Sequence, residues 1–142
     1  YFDHERFVSN FGDGLADVDM SPLVSFHDKQ GTLATVTTVQ PFSRFGVMEV
    51  GDNQKVRDFR EKPQLDGWIN IGFFIMEPDA LQFVNSDSTL EEEPLARLAN
   101  AGQLSAFRHE GFWQPMDTYR ENRMLNDMWD TGTAPWQVWN DV

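Results

Sequence analysis

Two stretches constrain the fold of this chain more than anything else in it. Leu33 to Val39 is dense in β-branched residues, and Ile69 to Met76 is apolar almost throughout; each predicts a strand buried in a sheet. Helix signals surround them. Ser21-Pro22 opens a helix through Lys29 that Gly31 closes, and Pro78 to Val84 predicts a short one. Ser88-Thr89-Leu90-Glu91 has the spacing of a capping box before Leu95, Leu98 and Ala99, with Gly102 as the stop and Pro94 near the start. Thr118 to Trp129 predicts an amphipathic helix with Leu125, Met128 and Trp129 on its apolar side. Shorter strands are expected at Arg6 to Phe11 and Leu104 to Arg108. Phe45 to Val50 and Lys55 to Phe59 flank Gly51-Asp52-Asn53 as a hairpin. Strands alternating with helices imply an α/β fold, and the hairpin neighbours imply a mixed sheet with flanking helices rather than a purely parallel one.

The chain has 142 residues and shows no internal repeat, low-complexity segment or long linker. Residues 1–142 therefore read as one domain with one core. Lys plus Arg number 11 against 23 Asp plus Glu, a net charge of −12. Such a surface repels polyphosphates, so neither nucleic acid nor an anionic membrane is an expected partner. Arg57, Arg60 and Lys62 lie close together, but Asp58 and Glu61 break up any basic patch. The absence of cysteine excludes a disulfide scaffold, a Cys-ligated zinc and thiol catalysis. No apolar run nears the roughly 18 residues that would span a bilayer, and the first residues lack the basic-then-apolar order of a signal peptide. A cytoplasmic protein is the expectation.

Several polar residues sit where chemistry is done. Asp13 lies in Gly12-Asp13-Gly14 at the end of a strand, a position from which a carboxylate can hold a hard divalent cation. The plainer role is a turn aspartate bonding its own backbone. Asp117 precedes a helix start and is either a second metal ligand or an N-cap. Two such acids could converge on one Mg²⁺. In Glu61-Lys62-Pro63, the proline favours extended backbone, which would send acid and base to opposite sides. Lys62 could take a phosphate and Glu61 could accept sugar hydroxyls, or the two could form a solvated ion pair. Asn70 and Gly72 on the next strand suit close approach of a polar ligand, or serve only as a strand amide and a packing glycine. His4, His27 and His109 lack metal-ligand spacing and read as structural or surface residues, and Glu91-Glu92-Glu93 as a charge run favourable at a helix N-terminus. Trp129 falls on a helical apolar stripe and is expected in the core. Trp136 and Trp139, in a short terminal tail, are expected to be exposed and to dock on a partner subunit.

Taken together, Phe11 to Val18, Arg44-Phe45-Gly46, Phe59 to Pro63, Gly67 to Asn70, Gly72-Phe73-Phe74 and Gly111 to Gln114 through Asp117-Thr118 resemble the sugar-phosphate nucleotidyltransferases. Glu93-Pro94-Leu95 and Ala134-Pro135-Trp136 through Trp139 resemble the branch that transfers a cytidylyl group from CTP to glucose 1-phosphate. The resemblance covers nearly the whole chain. It implies a Rossmann-like α/β fold and Mg²⁺, with Asp13 and Asp117 on the metal, Lys62 on the sugar phosphate, and Glu61, Asn70 and Gly72 on the glucose. It implies no covalent intermediate and no protein nucleophile, so no residue is expected to be catalytic in that sense.

The chain departs from the family pattern in identifiable ways. The family's Gly-x-Gly-Thr-Arg-Leu loop and a nearby lysine, which hold the nucleotide triphosphate, have no counterpart here, and Tyr1 corresponds to a point well inside the family sequence. Ile71 stands where a second glycine is expected beside Asn70, Pro115 interrupts the stretch after Trp113, and Ser9-Asn10 are polar for a first strand. The expectation is an incomplete Rossmann-like fold, the sugar-binding and metal-binding C-terminal portion, inactive alone. Its sheet edge and helix-packing surface would be covered by self-association into a homo-oligomer. The competing expectation is a non-catalytic oligomerising module that binds a sugar phosphate without turnover.

Overall fold

A computed structural model describes residues 5–139. Its centre is a four-stranded sheet in the order β1-β6-β3-β7. The strands are β1 (Phe7–Ser9), β3 (Ala34–Val39), β6 (Ile69–Met76) and β7 (Leu104–Arg108). β6 runs antiparallel to β1 and to β3, whereas β3 and β7 are parallel. The sheet is mixed, as the sequence implies. All six residues of β3 are buried, as expected of a central strand covered on both faces.

The alternation of β3 divides the interior. Ala34 and Val36 pack with Phe74, Met76, Ala80 and Leu98 beneath α2 (Glu93–Asn100) and a short 3-10 helix at Pro78–Phe83. Thr35 faces α1 (Met20–Gln30), where its Oγ1 lies 2.7 Å from Nδ1 of the buried His27. Phe26 of α1 meets Phe107 of β7 edge to face at 5.4 Å. Helices thus flank the sheet on both sides. α1 starts at Asp19, whose carboxylate accepts the Ser21 N–H at 2.9 Å, and ends at Gly31 in the left-handed conformation.

Two small ribbons complete the fold. β2 (Gly14–Ala16) pairs antiparallel with β8 (Trp113–Pro115), and β4 (Val47–Val50) pairs with β5 (Val56–Arg60) as the expected hairpin. After β8, the chain turns into α3 (Tyr119–Asp130) behind a full capping box formed by Thr118 and Glu121.

Four expectations need correction. Ser88 does not cap α2; its side chain bonds Asn85 within a loop, and the helix begins after Glu92 with Pro94 in its first turn, where the missing N–H costs nothing. Trp136 is not exposed for a partner: with Ala134 it packs on Leu125, Phe112 and Met128. That fold-back covers the apolar side of α3, so Trp129 is left half exposed at its margin instead of in the core. Trp139 does remain exposed. Lys62 is not extended, for the chain must turn there; Ser43 N–H donates to the Pro63 carbonyl at 2.8 Å and Phe42 bridges Gln64, and Lys62 adopts φ +44°. His4 lies outside the described residues.

His27 and His109 both serve structure. His27 Nε2 lies 3.2 Å from Glu77, which also takes Arg6 at 2.7 Å, and Arg6 in turn meets Asp28 at 2.7 Å. Burial acts to raise the Glu77 pKa, but hydrogen bonds from Arg6 and His27 and their charges outweigh it, and the carboxyl is held below its usual value. His109 closes the end of β7 against Asp17 at 2.9 Å.

Candidate functional site

A cleft of about 870 Å³ opens between the β2-β8 ribbon, the start of α3 and the loop that follows β3. Asp13, Lys62, Asn70, Ile71 and Asp117 all line it. Four of the six predicted site residues therefore face one space. Each arrives there for a local reason.

The β2-β8 register pairs Gly14 with Pro115, and Met116 N–H donates to the Asp13 carbonyl at 2.7 Å. Asp13 and Asp117 consequently leave the ribbon at the same end. Asp117 is not the N-cap of α3, since Thr118 fills that position, and its backbone N–H instead donates to Glu121 Oε2 at 3.0 Å. No hydrogen bond or ion pair among the described residues engages either aspartate carboxylate. Both are exposed and open to solvent.

The floor is set by an irregularity in β6. Val36 pairs with Phe74 but Thr38 pairs with Asn70, so β6 carries extra residues between them. Such bulges re-aim side chains. Asn70 Oδ1 accepts the Gly72 N–H at 2.8 Å, which leaves the amide NH₂ as the group Asn70 can offer to the cleft. Gly72 has φ +82°, and a Cβ there would meet the Phe11 ring, with Cγ only 2.7 Å away. Its missing side chain makes room for Phe11, and Gly72 is not among the residues lining the cleft. Ile71 is buried in the floor.

The loop Gln40 to Arg44 and Lys62 also line the cleft. The left-handed backbone of Lys62, directly before Pro63, is a costly conformation for a residue with a Cβ, and such strain is concentrated at functional sites. Its ammonium lies 3.6 Å from the Glu61 carboxylate, and both side chains are mostly exposed. Glu61 itself is not among the lining residues.

Two contributors were not singled out as site residues from the sequence. Glu121 accepts from Asp117 N–H, Thr118 N–H and Arg44, the last at 2.8 Å. Burial acts to raise its pKa, but the Thr118 side chain, these amides and the Arg44 charge outweigh that and lower it. The Thr118-x-x-Glu121 spacing was readable as a capping box. Nothing local marks Arg44 as its partner.

A hydrated Mg²⁺ needs only one or two carboxylates, completing its shell with waters and phosphate oxygens. The unpaired Asp13 and Asp117 carboxylates fit that demand. Among the described residues no group of three or more metal-ligating side chains occurs, so a cation held entirely by protein does not fit.

A mixed sheet flanked by helices carries one cleft lined by two acids, a lysine and an amide, and residues 3–142 match the family described as nucleotidyl transferase. The chain belongs to that family. It is 45% identical over 139 residues to glucose-1-phosphate cytidylyltransferase of Salmonella typhimurium, an alignment covering 96% of this chain and 54% of that protein. It is 35% identical over 121 residues to the mannose-1-phosphate guanylyltransferase catalytic subunit beta of Danio rerio, covering 78% of this chain and 33% of that one. The structure of HddC from Yersinia pseudotuberculosis matches 91% of this chain and 57% of its own with a TM-score of 0.65 at 17% identity, a likeness of fold. The chain spans about half the length of the Salmonella relative. Among the described residues no helix is long and apolar enough to cross a membrane.

Proposed function

We propose that this chain forms the sugar-phosphate and metal-binding part of a glucose-1-phosphate cytidylyltransferase, which joins CTP and glucose 1-phosphate to give CDP-glucose and pyrophosphate. The observation that carries the reading is the convergence of Asp13, Asp117, Lys62 and Asn70 on one cleft, in a chain with a 45% identical relative of that name. In the reaction, a phosphate oxygen of the sugar phosphate attacks the α-phosphorus of CTP and the bond to pyrophosphate breaks. Two anions must be brought together, so alignment and charge neutralisation dominate.

Within that scheme Lys62 meets the sugar phosphate as a point charge. The Asn70 amide NH₂ donates to a glucose hydroxyl, while Ile71 limits the depth of the sugar pocket. Asp13 and Asp117 hold Mg²⁺, which supplies charge stabilisation at the phosphates when bound. Glu61 and Gly72 contribute less directly: Glu61 pairs with Lys62, and Gly72 shapes the bulge that presents Asn70. The same reading carries a cytoplasmic setting and a homo-oligomer, the latter supported by exposed Phe45, Met48 and Phe59 on and beside the β4-β5 hairpin.

Isothermal calorimetry of the 142-residue chain with glucose 1-phosphate and Mg²⁺ tests this reading. Lys62→Ala should weaken sugar-phosphate binding by about tenfold, in line with a charge-assisted contact, and Asp117→Asn should abolish its Mg²⁺ dependence. Equal heats from the parent chain and Lys62→Ala would remove Lys62 as a ligand. Because this polypeptide contains no glycine-rich triphosphate loop, the expectation is binding without pyrophosphate release from CTP.

A further inference from the structure

One ion pair joins the two walls of the cleft. Arg44 Nη2 donates to Glu121 Oε1 at 2.8 Å, while Glu121 Oε2 accepts the N–H groups of Asp117 at 3.0 Å and Thr118 at 2.9 Å. Both carboxylate oxygens are therefore engaged, and the Glu121 side chain is only 14% exposed. On the other wall, Ser43 N–H donates to the Pro63 carbonyl at 2.8 Å and Leu65 N–H to the Pro41 carbonyl at 2.9 Å. The loop bearing Arg44 is thus stitched to the backbone on the far side of Lys62. A continuous hydrogen-bonded path runs from beside Lys62, through Arg44 and Glu121, to the backbone of Asp117.

We infer that Arg44 is a positioning residue, the latch that sets the separation between Lys62 and Asp117. The capping box of α3 needs only Oε2 of Glu121; Oε1 adds nothing to the helix and is the atom Arg44 takes. With its side chain 60% exposed, Arg44 adds little to overall stability. Its effect is geometric. A phosphate held by Lys62 and a cation held by Asp117 assist one another only as neighbours, and a residue of the loop bonded beside Lys62 that reaches across to Glu121, itself bonded to the Asp117 backbone, keeps them so. This role rests on the assignment of Lys62 and Asp117 in the preceding section.

Backbone amide exchange of the ligand-free chain, compared with Arg44→Met and Arg44→Lys, tests the latch without any ligand. In Arg44→Met, exchange should quicken about fivefold, the upper range for an exposed ion pair, at Ser43 and Leu65 on one wall and at Asp117 and Thr118 on the other. Arg44→Lys should restore most of that protection, and the amides of β3 should not change. Faster exchange on one wall only, or on neither, would overturn the latch. Calorimetry adds the functional reading: in Arg44→Met the Mg²⁺-dependent gain in glucose 1-phosphate affinity should shrink about fivefold, again the scale of one exposed pair. A parent chain that binds and an Arg44→Met variant with an unchanged Mg²⁺ gain would also overturn the proposal. A parent chain that binds neither sugar phosphate nor Mg²⁺ would instead dismiss the assignment of Lys62 and Asp117, and the exchange pattern would still decide whether Arg44 joins the walls.

Discussion

Thr37 carries its hydroxyl into the interior of β3, fully buried, and Oγ1 has no partner among the described residues. A buried hydroxyl without a bond keeps its desolvation cost. Thr37→Val replaces it with a methyl of nearly the same size and should stabilise the chain by about 1 kcal/mol, read as a higher urea midpoint at unchanged slope. Gly72 behaves in the opposite way. With φ +82° and the Phe11 ring where a Cβ would go, Gly72→Ala should destabilise by about 1–3 kcal/mol in the same measurement, through strain and overpacking. The sequence offered two roles for Gly72, ligand approach or packing, and could not choose between them, because the choice depends on Phe11, a residue 61 positions away whose ring lies against Phe74. Lys62 misled for a related reason. A pre-proline rule describes local sterics, and here the bonds from Ser43 and Leu65 to the neighbouring loop impose a turn that the local preference opposes.

Among elements, most were legible, including the short β1, β7 and the hairpin, and the β2-β8 ribbon was not. β3 and β6 declare themselves by continuous apolar and β-branched residues, and α1 and α3 by caps and periodicity. β2 and β8 have three residues each, too few for an alternation, and each exists only because the other pairs with it. They nonetheless bring Asp13 and Asp117 to one end of a ribbon, so the convergence of the site was the part least readable in advance. The packing of α3 shows the same limit: its helical stripe predicts a buried Trp129, but Trp136 returns to take the place over Leu125. Between elements, Glu77 at the end of β6 ties β1 and α1 through Arg6 and His27. Its carboxyl is held below the usual glutamate range, so its contribution is present above that range and fades as pH falls through the lowered folded pKa. Thermal melts between pH 6 and about 3 should show that Glu77→Gln loses less stability on acidification than the parent chain. Parallel acid profiles would contradict this.

At the scale of the whole molecule, the net charge of −12 means that an anionic ligand gains nothing from the general field and depends on local groups such as Lys62 and any bound cation. The β4-β5 hairpin is the least supported part. It exposes Met48, Val50, Val56 and Phe59, and its register sets Glu49 directly opposite Asp58, an unfavourable like-charge pair. A two-stranded ribbon of this kind is marginal alone in water. Light scattering should accordingly find a dimer or larger species, and a well-behaved monomer would refute the oligomer.

The parallel pairing of β3 with β7 has a consequence for the nascent chain. Thr38 donates to the carbonyl of Phe107, 69 positions further on, so the ribosome releases the most buried strand long before its second neighbour exists. At about 5–20 residues per second that interval is roughly 3–14 s. Throughout it, a strand rich in β-branched residues with an open edge is available to any other unfinished chain, and protection by a chaperone matters most in those seconds.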